Sequence, residues 1–481
     1  MATPIPTNQC EFMLSEVLDA TAGTLARASS SVPVDTFRGV SIDTRSINPG
    51  ALFVALQGAA ADGHDYLQPA VARGATAAIV ADGRRHPALD CIEVGDTLDA
   101  LGRLARRHLS RTRDSRELPL IAIGGAVGKT TTKELTAAVA RALFGSTLST
   151  PGNLNNLIGV PMTIFTLTGD HCAAVLECGT NTRGEIPKLA QIVQPDVAMV
   201  LNVDLEHSEG LGTLDDIADE ECALFSTAAR YAVASADEPM VLARIPKQMR
   251  RITFGKAPDA DVRLASRSAG PRSRIRIAIS PAMVAAGVEP FIETEIALLG
   301  ESAALNCTAA IAGGAAMRDR PLESRELAAL ADAIARVKPV AGRLASTAIN
   351  GITVIDDSYN SNPRSIRAAL AAAREVADNL GARLVIAMGD MLELGEQSAA
   401  AHQQAVGDIL RVRPAAFVAV GPEMNSACAI AARDPAGAGI STAPDSLAAA
   451  GVVKGLLRRG DVLLVKGSRG IAMERIIEQL G

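Results

Sequence analysis

The stretch from Leu118 to Phe144, LPLIAIGGAVGKTTTKELTAAVARALF, constrains this chain more than any other. Leu118 to Ile123 is an apolar run without helical spacing. It passes through Gly124, Gly125 and Gly128 into Lys129, Thr130 and a long amphipathic segment rich in Ala, Leu and Val. That order reads as strand, glycine loop, helix. Glycines let the backbone turn tightly enough for successive N–H groups to face one concavity, and the helix adds its positive N-terminal end, so the feature suits phosphate. The reading assigns Gly125, Ala126, Val127, Gly128, Lys129, Thr130 and Thr131 to ATP. Lys129 serves the β- and γ-phosphates, and the Thr130 hydroxyl serves a bridging Mg2+. The longer pattern G-x-x-x-x-G-K-[ST] would need glycine at position 123, where this chain has Ile123; the shorter G-x-x-G-K-T, Gly125 to Thr130, remains. A glycine turn between strand and helix can be purely structural, and it is the Lys-Thr pair that points to a nucleotide.

At 481 residues, 48% of them apolar, the chain holds enough material for about three domains and several cores. A net charge of −6 lacks the basic footprint of a nucleic-acid binder, and the Arg-rich piece Arg103 to Arg116 reads as a solvated helix face and its exit. Seven cysteines occur without C-x-x-C spacing. Cys172, Cys178 and Cys307 sit in apolar runs, which predicts reduced, buried thiols and a cytoplasmic setting. No signal-like N-terminus and no apolar run of bilayer length is present, so a soluble protein without membrane insertion is expected.

The expected fold class is α/β in three domains: a small N-terminal α/β domain over 1–116, a central parallel-sheet ATPase domain over 117–336 and a Rossmann-like C-terminal domain over 337–481. In the first, Gly50 to Leu56 and Thr76 to Val80 read as strands and Tyr66 to Arg73 as helix. Asp43-Thr44-Arg45-Ser46 and Asp62-Gly63-His64-Asp65 read as turns and N-caps. In the second, strands are expected at Ala173 to Leu176, ending at Glu177, and at Asp196 to Leu201, ending at Asn202. Polar residues at the carboxyl ends of parallel strands face the ligand crevice, so Glu177, and His207 a few residues past the next strand, are metal-site candidates. Thr213 to Phe225 is a helix capped by Thr213 with Asp216 in the capping-box position. Arg274 to Ile277 and Glu293 to Ile296 alternate as an exposed antiparallel pair. In the third, strands are expected at Gly351–Ile355, Leu384–Ala387, Phe417–Val420 and Val462–Val465, and helices at 364–379, 399–411, 444–458 and 471–479.

Five strings carry a resemblance to a known family. They are Asp43 to Ser46 with Pro49 to Leu56; Gly152-Asn153-Leu154-Asn155-Asn156 with Ile158 to Pro161; Asp357 to Pro363; Gly389 to Glu396; and Val465 to Gly470. In this order they resemble the Mur ligases, and among them the branch that joins D-alanyl-D-alanine to a UDP-linked muramoyl tripeptide. The resemblance implies phosphorylation of the tripeptide carboxylate by ATP, then attack of the dipeptide amine on the acyl phosphate, in a monomer that uses Mg2+. It implies that Lys129, His207 and Arg343 are catalytic, Arg343 reaching the phosphates when the third domain closes. Thr130, Glu177 and His207 hold metal, Asn306 meets adenine, and Asp357 or its neighbour Asp356 meets ribose. Thr44, Arg45 and Ser46 take the uridine diphosphate end, and Asn153 and Asn156 the muramoyl peptide.

Three positions depart from the family pattern. Glu221, by gapless comparison from Asn202, stands where a lysine, carbamylated in the family, serves a second Mg2+; Glu220 or a shifted register could take the place instead. Ser302-Ala303 replaces His-Asn ahead of the adenine asparagine. Ala126-Val127 lacks a polar side chain often found there. A related ligase with another acid and amine, or a non-catalytic relative that binds nucleotide or muramoyl peptide, is the alternative these departures allow.

Overall fold

The computed structural model describes residues 3–28, 34–58, 61–228, 230–431 and 439–481. Its centre is a nine-stranded sheet. Three neighbouring strands, Leu120–Gly124, Ala173–Glu177 and Val197–Val200, are almost wholly apolar and buried at every position, as strands covered on both faces must be. Leu120–Gly124 lies between the other two, in parallel with both. Their carboxyl ends therefore deliver the glycine loop, Glu177 and Asn202 to one edge of the sheet. Thr147–Ser149 flanks one side, and Tyr231–Ser235, Arg250–Gly255 and Val262–Arg267 extend the other, all parallel. Ser273–Ile279 and Phe291–Ile296 close that side antiparallel, with Arg274 opposite Glu295 and Arg276 opposite Glu293, as the alternation predicts.

The helix Lys129–Phe144 leaves the glycine loop and packs against the helix Gly300–Arg318. The latter is buried nearly all round because it runs through the core on small residues. A Cβ on Gly313 would lie 2.7 Å from the Met199 methyl, so glycine sets how closely this helix approaches the sheet.

Residues 24–94 form a five-stranded sheet in the order Thr24–Ala26, Asp90–Val94, Ala77–Ala81, Leu52–Val54, Val40–Ser41, antiparallel only at the first pair. Glu11–Met13 pairs separately with Thr36–Arg38. Residues 345–466 form a six-stranded sheet, parallel in the order Ile352–Asp357, Val462–Lys466, Leu384–Gly389, Ala416–Val420, Ile440–Ala443. An antiparallel edge strand, Ala345–Ile349, lies beside Ile352–Asp357. The sequence reading lacks that edge strand, the strand Ile440–Ala443 and the helix Pro422–Ala431. All three are short and carry no clear apolar period.

Two expectations are corrected. The helix Thr97–Ser115 does not present its arginines only to water: Arg111 pairs with Glu16 at 3.0 Å, and Arg113 with Asp196 at 2.7 Å in the central sheet. Cys172 is exposed, because its run begins one residue before the strand does, whereas the other six free thiols are buried. Among the described residues no helix is long and apolar enough to cross a membrane.

Candidate active site

A cleft of about 510 Å3 lies between the carboxyl edge of the nine-stranded sheet and the six-stranded sheet. Lys129, Thr130, Glu177 and Asn306 line one side of it, and Arg343 and Asp357 the other.

The glycine loop is fixed from behind. Gly125, at φ +117°, lies against the backbone of Leu201 and Asn202, and a Cβ there would sit 2.9 Å from the Leu201 nitrogen. Its N–H donates to Glu221 Oε2 at 2.6 Å. The Ala126 N–H donates to the Asn202 carbonyl at 3.0 Å. Asn202 also accepts from the Val127 N–H and donates to the Val127 carbonyl, both at 2.8 Å. This corrects the expectation that the whole loop offers its amides to phosphate. The first three are taken by Asn202 and Glu221, and the donors left to the cleft are those of Gly128 and of the first helical turn, Lys129, Thr130 and Thr131. Asn202 thereby holds Val127 through its backbone at a position with no polar side chain.

Three buried carboxylates surround Lys129. Glu177 ends its strand 1% exposed; its Oε1 accepts from the Thr130 hydroxyl at 3.2 Å and from Asn155 at 2.7 Å, and its Oε2 has no partner. Glu221, 0% exposed, likewise leaves Oε1 unpartnered. It lies on the helix Leu214–Cys222, which Thr213 and Asp216 cap as expected. Glu220 is occupied elsewhere: it accepts from the Gly184 and Ile186 N–H groups, capping the start of the helix Glu185–Val193. Glu206 Oε1 lies 3.4 Å from Lys129 Nζ. Burial alone would lower the Lys129 ammonium, but Glu206, Glu221 and Glu177 outweigh it and hold it above its usual range. Burial pushes the Glu206 carboxyl up to about 8 and raises Glu221, with Lys129 pulling both back.

From the opposite sheet, Arg343 stacks on the Tyr359 ring at 4.2 Å. Asp357 Oδ2 accepts from Lys466 Nζ at 2.7 Å, and its Oδ1 from the Leu344 N–H at 3.1 Å. Asp356 is instead spent on the local turn, accepting from Gly342 N–H and from Ser358, and does not line the cleft. His402 steadies the Gly389 to Glu396 segment: its Nε2 accepts from the Met391 N–H at 2.9 Å, and its Nδ1 donates to the Ser398 carbonyl at 2.7 Å. That segment presents Glu393, which pairs with His207 Nδ1 across the cleft. Both residues have left-handed backbones, φ +48° for His207 and +65° for Glu393, a conformation that costs a non-glycine residue on the order of 1–3 kcal/mol unless its surroundings hold it.

Asn153 and Asn156 line the cleft. Asn153 accepts from the Thr3 hydroxyl at 2.7 Å, and Asn156 caps the turn into Gly159. Thr44, Arg45 and Ser46 are not brought to it; Arg45 folds back on Asp43 at 2.7 Å. Asn155, Glu206, Glu393 and Lys466 carry no site assignment from the sequence, and Asn202 is expected at the crevice only as a polar strand end. Each follows a strand or glycine motif already recognised, and that position is the signal that could have found them.

A phosphate-type loop between a parallel sheet and a helix, facing a Rossmann-like sheet across a carboxylate-lined cleft, defines a multidomain nucleotide-dependent enzyme. Three family models match in sequence: Mur ligase family, catalytic domain, over 36–108; Mur ligase middle domain over 123–314; and Mur ligase, glutamate ligase domain, over 342–469. The chain belongs to the Mur ligase family. It is 32% identical to the UDP-N-acetylmuramoyl-tripeptide--D-alanyl-D-alanine ligase of Treponema pallidum, over 96% of this chain and 97% of that one. To the enzyme of the same name from Escherichia coli K12 it is 33% identical, over 97% and 98%. The crystal structure of MurF from Acinetobacter baumannii superposes with a TM-score of 0.87 at 27% identity, covering 98% of this chain and 99% of that one.

Proposed function

We propose that this protein joins D-alanyl-D-alanine to UDP-N-acetylmuramoyl-tripeptide at the expense of ATP, in the synthesis of peptidoglycan precursors. The observation that carries the reading is identity of 32–33% across nearly the whole chain to two relatives of that name. The three sheets then correspond to domains over 1–116, 117–336 and 337–481, working as a cytoplasmic monomer on water-soluble substrates.

A carboxylate is a poor electrophile, so the γ-phosphoryl group is first moved onto the tripeptide's terminal carboxylate. The dipeptide amine then attacks that carbonyl carbon, the C–O bond to phosphate breaks, and the amine loses a proton as the amide forms. Lys129 and the first-turn N–H groups stabilise the transferring phosphoryl oxygens. Arg343 adds positive charge from the facing domain, Asp357 takes the ribose and Asn306 the adenine. Thr44, Arg45 and Ser46 hold the uridine diphosphate end, and Asn153 and Asn156 hold the peptide near the reacting carboxylate. Burial between the two sheets keeps water from the acyl phosphate.

Among the described residues no three His, Cys, Asp or Glu side chains converge as a ready-made metal cluster, but Glu177 Oε2 and Glu221 Oε1 are buried oxygens without partners beside Lys129, and such oxygens are the ligands Mg2+ takes. Thr130, Glu177, Glu221 and His207 would hold it. The ion would neutralise charge on the phosphoryl oxygens during transfer. The reading is tested by phosphate release from the purified chain with ATP, Mg2+, UDP-muramoyl tripeptide and D-alanyl-D-alanine, each omitted in turn. Release is expected only with all four; release that ignores the dipeptide or the muramoyl peptide would overturn it.

A further inference from the structure

Lys129 has no donor to spare. An ammonium carries three, and here Nζ reaches the Gly125 carbonyl at 2.5 Å, the Ala126 carbonyl at 3.4 Å and Glu206 Oε1 at 3.4 Å. Two of these acceptors belong to the loop that the lysine itself closes. The third comes from a segment 77 residues away and is the only side-chain carboxyl among them. Glu177 and Glu221 are engaged differently, by Thr130 with Asn155 and by the Gly125 N–H. Glu206 is 6% exposed, and among the described residues Lys129 is its side-chain partner. It follows the Asn202 clamp by four residues.

We propose that Glu206 is a positioning residue for Lys129: it keeps the ammonium drawn back over its own loop, and the outer phosphates of a nucleotide gain the lysine only by displacing the Glu206 carboxylate. Nucleotide affinity is then set by an exchange of one anion for another rather than by a waiting cation, and a second anion in the same place is a competitor built into the fold. The proposal rests on the nucleotide reading above and adds a specific determinant to it. Shortening or neutralising Glu206 frees the lysine without touching the loop, and nucleotides whose phosphates reach Lys129 should gain while those that stop short should not.

The test is calorimetric titration of the full chain with ADP and with AMP, in chelator at pH 8.5, for wild type, Glu206→Gln and Glu206→Asp. Melting curves check that both variants fold, and either folded variant decides the matter. Glu206→Gln should bind ADP about tenfold more tightly, with AMP unchanged within twofold. Glu206→Asp, which keeps the charge on an arm too short to reach, should also tighten ADP. Unchanged or weaker ADP binding in either variant would overturn the proposal, as would equal gains for ADP and AMP, which would indicate general repulsion rather than release of Lys129. A wild-type chain that binds no ADP removes the nucleotide reading itself, whereas wild-type binding with unshifted variants removes only Glu206.

Discussion

Replacing Glu221 by glutamine separates two tasks that one side chain performs. Oε2 fastens the glycine loop by accepting from the Gly125 N–H at 2.6 Å, and Oε1 is buried without a partner. Glutamine can still accept from Gly125, so the loop should keep its place. What is lost is one negative charge, in a site where Glu177 supplies the other unpartnered carboxylate oxygen. Two unit charges about 4 Å apart at an effective dielectric of 20 interact by about 4 kcal/mol. Shedding of the ion's own water offsets part of this, and a net loss of about 1.5–3 kcal/mol is the range for interactions with a charged group. That corresponds to a roughly tenfold to hundredfold higher Mg2+ requirement. The assay is phosphate release titrated with Mg2+, together with Mn2+ binding followed by its spin-resonance signal in the absence of substrates. Because a glutamate carries its oxygens permanently, wild-type activity should not depend on dissolved carbon dioxide, and Glu221→Lys should recover activity only when bicarbonate is supplied. An unchanged Mg2+ titration in Glu221→Gln would refute the reasoning.

Lys129→Ala should lose several powers of ten in turnover because the positive charge set against the transferring phosphoryl group is gone; melting curves check folding, since Lys129 also pairs with the buried Glu206, and in the folded variant near-normal phosphate release in stopped assays would remove the loop from the mechanism. Asn202→Ala removes both hydrogen bonds that fix Val127; because these groups are only part-buried and water can reach them, stability should fall by about 1 kcal/mol while ADP binding weakens, read by denaturant melts and calorimetry. The third domain should close further on ATP analogue with muramoyl peptide, read as a smaller radius of gyration in X-ray scattering. The two sheets are joined by Arg267 to Glu375 at 2.8 Å and Arg364 to Glu238 at 2.5 Å, so Arg267→Ala should loosen the compact form. Arg267 holds the Glu375 carboxyl below its ordinary range. The clasp is therefore complete above the usual carboxylate pKa and is lost as pH falls through the depressed one, so domain opening in scattering should begin only on acidification below about pH 4.

The strand, loop and helix around Lys129 were legible because an apolar run, glycines and a Lys-Thr pair each restrict the backbone or the chemistry. Glu177 was legible because a carboxylate closing a buried strand has few other uses. The partners that make the site work were not. Asn202 holds Val127 through backbone atoms, a contact that leaves no mark on the sequence near Val127. Glu206 reaches Lys129 across 77 residues, and a Glu beside a His reads in sequence as ordinary loop polarity. Asp356 and Asp357 are indistinguishable in a string; the alternation of a strand sends one to the turn at Gly342 and the other to the cleft. Glu220 and Glu221 differ in the same way, one turning to the start of a neighbouring helix and the other to the glycine loop.

The central claim is that ATP activates the tripeptide carboxylate. It is tested most directly by labelling that carboxylate with oxygen-18 and following the label during synthesis with unlabelled ATP and D-alanyl-D-alanine. One labelled oxygen should leave with each inorganic phosphate and the other should remain in the new amide, as seen by mass spectrometry of both products. Phosphate released without label, or released at the same rate when the dipeptide is left out, would contradict the account.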